Sequence, residues 1–223
     1  MQRTADNTQQ LTSQQLTILE AVAPLVAQRM QSQQAGHGLD HVQRVVLAAR
    51  AIQSEVGGCA FIVELAAWLH DVGDAKFHAG RERSGEFSRE ILAPFDLAPE
   101  SIEHVVAIVD GISFRKTGNS PPLTLEGQIV QDADRLEALG AVGIVRTIEY
   151  GATRNQPFFD PHSDLLRDAT GVGHFYQKLF KLRGLLNTEP ARRMSQQRED
   201  FMRLFLQQYF KECGVEVVVP DNR

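Results

Sequence analysis

The sequence of 223 residues contains only two cysteines, Cys59 and Cys213, which lie far apart and form no CxxC pair. Isolated thiols are typical of reducing compartments, so we predict neither a disulfide nor a cysteine-ligated metal site. Basic charge is also scarce, because 23 Lys and Arg residues stand against 28 Asp and Glu residues, and the net charge is −5. An overall positive field that would recruit nucleic acid or an anionic membrane is therefore excluded.

Long apolar stretches are missing as well, since no apolar run approaches the roughly 18 residues that can span a bilayer. The first residues, MQRTADNTQQLTSQQ, lack the basic and then apolar pattern of a signal peptide. The hydrophobic fraction of 43% and the charged fraction of 23% are ordinary for a globular protein. We therefore expect a cytoplasmic protein without a membrane anchor.

What the sequence does contain is apolar residues at helical spacing, without the alternation of strands, so we predict an all-α fold. The apolar run FIVELAAWL, residues 61–69, is assigned to a buried helix that leads directly into His70 and Asp71. For the preceding helix, Asp40 is the predicted N-cap and Gly57-Gly58 the predicted end.

Later helices are predicted from the same periodicity. They cover residues 83–93, 99–110, 124–150, 163–187 and 191–212. The helix at 124–150 is expected to break near Gly140 or Gly143. The predicted domain boundaries are a frayed N-terminus at 1–15, one domain at 16–212 and a tail at 213–223. Within the tail, VEVVV (215–219) is strand-like and could pair with a second copy of the chain, so a homodimer is one expected assembly.

The residues with metal-binding chemistry are His41, His70, Asp71 and one carboxylate of the segment QDADRL, Asp132 or Asp134. Two imidazoles and two carboxylates suit Mn, Fe, Co, Ni or Zn, and Mg can use such a site. A simpler interpretation is that His70 caps a helix and that Asp71 is an N-cap or a surface acid. Helical geometry leaves the distal carboxylate open, since Asp132 and Asp134 both lie about 100° from the apolar stripe of their helix.

Three segments resemble, in order and spacing, the H…HD…D motifs of the HD-domain phosphohydrolases: GHGLDHVQRV (36–45), AAWLHDVGDAKF (66–77) and QDADRLEALGAVG (131–143). Two longer segments, 125–151 and 173–209, resemble a bacterial subgroup of small HD hydrolases that includes nucleotide pyrophosphohydrolases. The resemblance covers nearly the whole chain after about residue 15. It implies a compact HD-domain helical bundle with additional C-terminal helices.

The resemblance also implies roles for individual residues. His41, His70, Asp71 and Asp134 become ligands of one divalent metal ion, with Asp134 preferred because the family motif puts this ligand directly before Arg-Leu. Asp74 occupies the last position of an HDxxD pattern, where the family's general acid/base is found.

Phosphoryl chemistry also needs positive charge near the developing oxyanions. Arg44 lies one turn beyond His41, and Lys76 follows Asp74, so both are catalytic candidates together with Asp74. The substrate-binding candidates are the basic residues Arg44, Lys76, His78, Arg135, His174, Lys178 and Lys181. The last three share one face of the predicted helix 163–187.

Four further residues also receive assignments. Glu126 and Gln128 open the helix of the distal ligand and are candidate contacts to a base or a sugar. His104 is interpreted as a structural histidine of its helix. Asp110 stands where some larger HD hydrolases have an extra metal-binding histidine, which favours one metal.

The leading functional hypothesis is hydrolysis of nucleoside or deoxynucleoside triphosphates to monophosphate and pyrophosphate, through a water activated by the metal. The closest alternative is a 5′-nucleotidase, which would release phosphate from monophosphates and no pyrophosphate. A cyclic-nucleotide phosphodiesterase and a di-iron oxygenase are weaker alternatives, because both need additional metal ligands. A catalytically silent helical module is disfavoured because Asp74 accompanies a complete ligand set.

Overall fold

The computed structural model describes residues 10–31, 38–112 and 122–216. Over these ranges the chain is helical or irregular and contains no strand, which confirms the predicted all-α class. The chain forms two compact units, Met1–Asp134 and Arg135–Arg223. The expectation of one domain over residues 16–212 stays a prediction. None of the described helices is long and apolar enough to cross a bilayer.

The described residues of the first unit form five complete helices, a short 3₁₀ helix and most of a sixth helix. These elements are α1 (Ser13–Arg29), α2 (Leu39–Val56), α3 (Ala60–Leu69), the 3₁₀ helix Ala75–Phe77, α4 (Ser84–Leu92), α5 (Pro99–Gly111) and α6 (Leu125–Leu136).

The ends of α1 and α2 follow from local side-chain and backbone chemistry. Thr12 and Gln15 form a capping box, so α1 begins three residues before the predicted domain start. The prediction that Asp40 caps α2 is wrong: the N-cap is Gly38, and the Asp40 carboxylate pairs with Arg44 at 2.8 Å within the helix. The predicted end of α2 is confirmed at Gly57, whose φ of +81° suits a residue without a side chain.

Helix α3 is the centre of the first unit, as expected for the apolar run FIVELAAWL. It packs against α1, α2 and α5. Its apolar side chains are buried around the whole circumference, including Val63, Leu65 and Leu69, each 0% exposed. A helix buried on all sides has a fixed axis, because any tilt would open cavities around it. Its C-terminal end is therefore a firm support for His70 and Asp71.

The second unit contains the remaining helices and a longer 3₁₀ segment. These elements are α7 (Gly140–Ala152), α8 (Gly171–Gln177), the 3₁₀ helix Leu179–Leu185 and α9 (Glu189–Cys213). The predicted break near Gly140 is confirmed, since this residue opens α7 with a φ of +75°. An aromatic core that includes Phe175 and Phe180 packs against α9 through Met202.

The predicted helix over residues 163–187 is wrong in length. Residues 163–170 form turns, in which the Asp164 side chain accepts a hydrogen bond from the Leu166 N–H at 2.8 Å. Thr170 then caps α8 through the N–H of Gly173 at 2.9 Å. Helix α8 ends at Gln177 because Lys178 adopts φ −135° and ψ −56°, outside the helical region. Most of the strand-like stretch 215–219 lies outside the described residues.

Candidate metal centre

His41 lies in the first turn of α2, and its side chain points into the interior of the first unit. The backbone N–H of His41 donates to the carbonyl of Gly38 at 3.0 Å, which fixes the residue in the first turn. The imidazole of His41 is fully buried. A buried polar ring needs partners that offset its desolvation, so its surroundings show what it does.

The second histidine, His70, directly follows α3, and its imidazole has a defined tautomer. The Nδ1 of His70 lies 2.8 Å from the carbonyl of Ala67, and a carbonyl can only accept, so Nδ1 carries the proton. The other nitrogen, Nε2, therefore presents a lone pair. This is the usual arrangement of a metal-binding histidine, whose second nitrogen donates to a carbonyl or a carboxylate.

The ring nitrogens of the two histidines converge with the carboxylate of Asp71. The Nε2 atoms of His41 and His70 lie 3.3 Å apart. The Oδ2 of Asp71 is 3.6 Å from each of them. Within the described part of the chain, these three residues form the one group of His, Cys, Asp and Glu side chains able to hold a metal ion.

Helix α6 brings the carboxylate of Asp134 to the same point. Its Oδ1 lies 3.4 Å from the Nε2 of His41 and 3.9 Å from that of His70. Desolvation opposes ionisation of Asp134, but the hydrogen bond with His41 and the neighbouring imidazole of His70 lower its pKa below the ordinary value. Asp132 is fully buried, and two residues turn a helix by about 200°, so it points to nearly the opposite side of α6.

The separations between these donor atoms fit one shared cation. Nitrogen and oxygen ligands about 2.0–2.2 Å from an ion lie roughly 3.0–3.5 Å from each other. The observed separations of 3.3 to 3.9 Å are close to this range. Two neutral imidazoles beside carboxylates are a borderline donor set that accepts several divalent metals. The donor set of this cluster therefore fits a divalent metal ion.

Comparison with known proteins identifies the family. The sequence model of the HD-domain family matches residues 38–139 of this chain. The chain is 32% identical over 195 residues to the uncharacterised protein YpgQ of Bacillus subtilis, covering 86% of this chain and 92% of YpgQ. This chain belongs to the HD superfamily. The resemblance inferred from the sequence motifs is thereby confirmed.

Solved structures of HD-superfamily proteins match over nearly the whole chain. A hydrolase of the superfamily from Bacillus thuringiensis is 32% identical, with a TM-score of 0.77, and 91% of this chain and 100% of that chain are covered. YpgQ in complex with ADP is 30% identical, with a TM-score of 0.75 and coverage of 89% and 96%. The chain is therefore a metal-dependent phosphohydrolase of the HD superfamily, as expected.

The loop that follows the HD pair carries Asp74 and Lys76. The N–H of Asp74 donates to the carbonyl of Asp71 at 3.3 Å, so a tight turn connects the two acids. The Oδ1 of Asp74 accepts the N–H of Lys76 at 2.8 Å, and its Oδ2 lies 3.5 Å from the Lys76 Nζ. The structure thus brings together two of the three predicted catalytic residues.

This loop is closed by contacts between Gly73 and the start of α4. The carbonyl of Gly73 accepts the N–H of Arg83 at 2.9 Å, and its N–H donates to the hydroxyl of Ser84 at 3.2 Å. A Cβ atom at Gly73 would lie 2.4 Å from the carbonyl carbon of Arg83. No sequence motif signals this closure, because it depends on the approach of two backbone segments about ten residues apart.

Replacing Gly73 with Ala is expected to lower kcat about 10- to 100-fold and to destabilise the protein by about 1–3 kcal/mol. The added methyl group must displace the backbone of Arg83, and the loop that holds Asp74 moves with it. Steady-state kinetics and thermal denaturation measure the two effects. Gly184→Ala is the matched control, since an added Cβ there would meet no other part of the protein within 4 Å. An unchanged kcat in Gly73→Ala would show that the closure does not position the loop.

Arg44 and His78 are the other substrate-binding residues predicted in the first unit. Both lie close to the proposed metal ligands in sequence, but their side chains contact other residues. Arg44 donates from Nη1 to Asp40 at 2.8 Å, one turn along α2 from His41. The ring of His78 stands edge-on to Phe87 at 5.2 Å between centroids, and its Nε2 is buried without a hydrogen bond. The predicted phosphate contact of His78 would have to use Nδ1.

The basic residues predicted at the end of the chain belong to the second unit. Arg135 donates to the carbonyl of Leu185. The premise that His174, Lys178 and Lys181 share one helical face is wrong, because α8 ends at Gln177 and Lys181 lies in the 3₁₀ segment. Burial lowers the pKa of His174, and the charge of Lys178 lowers it further, so this imidazole is neutral at pH 7.

Proposed function

We propose that this enzyme hydrolyses nucleoside or deoxynucleoside triphosphates to monophosphate and pyrophosphate. The observation that carries the proposal is the cluster of two buried histidines, His41 and His70, with the half-buried Asp71, in a chain whose relative, YpgQ, was crystallised with ADP. The cluster supports a metal-dependent reaction, and the nucleotide bound by the relative supports a nucleotide as the substrate of this chain.

The proposed metal ligands are His41, His70, Asp71 and Asp134, around one divalent ion. Their nitrogen and oxygen atoms lie within 3.9 Å of one another for every pair that includes a histidine. When bound, such an ion lowers the pKa of a water molecule and neutralises charge on phosphoryl oxygens. We prefer Asp134 to Asp132 because of its approach to His41 and His70.

Asp74 is the proposed general acid/base. It follows Asp71 by one tight turn, and its side chain is 15% exposed, so the carboxylate is partly shielded from bulk water. In the proposed reaction, water attacks the α-phosphorus and its proton passes to the Asp74 carboxylate. The bond between the α-phosphorus and the bridging oxygen breaks, and pyrophosphate leaves with the electron pair.

Positive charge is needed to bind the triphosphate and to neutralise the departing pyrophosphate. Lys76, whose side chain is 46% exposed beside Asp74, is the proposed charge nearest to the reacting group. Arg44 on α2 is proposed to add a second charge. Arg135, His174, Lys178 and Lys181 of the second unit stay proposed substrate-binding residues.

The experiment that tests this function is a product analysis with purified protein and Mn²⁺, Mg²⁺, Co²⁺ or Ni²⁺. Nucleoside mono-, di- and triphosphates are each offered, and orthophosphate and pyrophosphate are measured separately. We expect pyrophosphate from triphosphates, no orthophosphate from monophosphates, and no product in EDTA. Orthophosphate from monophosphates without any pyrophosphate would instead identify a 5′-nucleotidase. Hydrolysis that persists in EDTA would contradict the metal requirement.

A further inference from the structure

The N-terminal end of α3 is held by a side chain from α6. The N-cap of α3 is Cys59, whose own side chain makes no capping hydrogen bond. Its backbone N–H donates instead to the Oε1 of Glu126, at 3.0 Å. A carboxylate at this position also complements the partial positive charge of a helix N-terminus. Glu126 therefore caps a helix that lies 67 residues away in the sequence.

Several contacts fix the Glu126 carboxylate in this place. Its Oε2 lies 3.7 Å from the Nε2 of His104 on α5, and that nitrogen also lies 3.1 Å from the hydroxyl of Thr124. The Glu126 side chain is only 14% exposed. Desolvation opposes its ionisation, but the hydrogen bond from Cys59 and the nearby His104 lower its pKa below the ordinary value. The cap is thus charged at neutral pH.

The close approach of the Glu126 carboxylate to the Cys59 N–H also depends on Gly58. This residue has a φ of +89°, and a Cβ atom on it would lie 3.2 Å from the Glu126 Oε1. A residue without a side chain lets the carboxylate reach the first N–H of the helix. The Gly-Gly pair that ends α2 therefore also makes room for the cap of α3.

The C-terminal ends of α3 and α6 carry three of the four proposed metal ligands, namely His70, Asp71 and Asp134. Helix α3 advances about 16 Å from Cys59 to His70, and α6 about 12 Å from Glu126 to Asp134, at a rise of about 1.5 Å per residue. At that end, Asp134 lies 3.9 Å from the Nε2 of His70. The two helices are thus tied at one end by Glu126 and meet at the cluster at the other end.

We propose that Glu126 is a positioning residue for the metal cluster, which sets the separation between Asp134 and the His70-Asp71 pair by tying α6 to the start of α3. This inference rests on the proposed metal site. Without the tie, the N-terminal end of α6 loses its hydrogen bond to the start of α3. A shift of α6 along its axis would then carry the carboxylate of Asp134 away from the two Nε2 atoms. Metal sites tolerate such displacement poorly, since ligand distances vary by only about 0.2 Å.

The test is the dissociation constant of Mn²⁺, measured by calorimetry on the full chain, with the electron paramagnetic resonance signal of bound Mn²⁺ as a second readout. Glu126→Ala is expected to weaken Mn²⁺ binding about 10- to 100-fold, the range for residues that orient metal ligands. Glu126→Gln keeps an acceptor oxygen for the Cys59 N–H and should stay within about twofold of the wild type. Glu103→Ala is the matched control, because Glu103 ties α5 to Arg89 of α4 and touches neither α3 nor α6 through that pair.

Each outcome decides between the possible roles. Equal Mn²⁺ affinity of Glu126→Ala and the wild type would overturn the positioning role and leave the metal site intact. Equal weakening by Glu126→Gln and Glu126→Ala would also overturn it, since the acceptor oxygen would then not matter. If Glu126→Ala does not fold, Glu126→Asp, which is one methylene too short, must bind Mn²⁺ more weakly than Glu126→Gln. A wild-type protein that binds no Mn²⁺ would overturn the metal site and this inference together.

Discussion

Replacing Asp71 with Ala is expected to abolish both bound Mn²⁺ and hydrolysis. The Asp71 carboxylate lies 3.6 Å from both Nε2 atoms and supplies negative charge beside two neutral imidazoles. A catalytic metal contributes several kcal/mol of transition-state stabilisation, so its loss lowers the rate by about 10³-fold or more. Metal content by atomic emission and steady-state kinetics measure the two effects on the same preparation.

The control for Asp71→Ala is a second Asp→Ala change in the same unit, Asp96→Ala. Asp96 is exposed between α4 and α5, and its replacement should leave metal content and kcat unchanged. Circular dichroism shows whether the Asp71 variant keeps its helices. A folded Asp71→Ala protein with a full complement of Mn²⁺ and normal turnover would refute the ligand assignment.

Replacing Asp74 with Asn is expected to keep the metal and lose roughly 10²–10⁴ in kcat, the usual contribution of a general acid or base. Asparagine retains an oxygen for the N–H of Lys76, which Asp74 accepts at 2.8 Å, so the turn after α3 should persist. The variant therefore removes the proton-accepting group without removing the hydrogen bond to the Lys76 N–H. Single-turnover kinetics at saturating Mn²⁺ isolate the chemical step.

The outcome for Asp74→Asn separates catalysis from structure. An unchanged kcat would remove Asp74 from the mechanism. A loss of bound Mn²⁺ in this variant would show that Asp74 supports the metal cluster rather than the proton transfer.

Most of the helices follow from the sequence, because their signals are local. The apolar run at residues 61–69 predicts α3, and Gly57 and Gly140 mark breaks that need a positive φ. The predicted helix 163–187 fails because Asp164 and Thr170 offer their side chains to nearby N–H groups, which stabilises turns in place of a helix. Periodicity alone does not reveal that competition.

The candidate site is predictable in part, for geometric reasons. The motifs identify His41, His70 and Asp71, and the structure places their donor atoms within 3.6 Å of one another. Asp132 and Asp134 flank the apolar stripe of α6 symmetrically, so only the orientation of that helix distinguishes them. Glu126 was a candidate for contact with a base or sugar, and its role as the cap of α3 depends on packing between distant segments.

The most direct test of the proposed reaction is hydrolysis of a deoxynucleoside triphosphate in H₂¹⁸O with Mn²⁺, followed by mass spectrometry of both products. Attack of water on the α-phosphorus predicts one ¹⁸O atom in the nucleoside monophosphate and none in the pyrophosphate. Label in the pyrophosphate, or release of orthophosphate without pyrophosphate, would contradict the proposed cleavage.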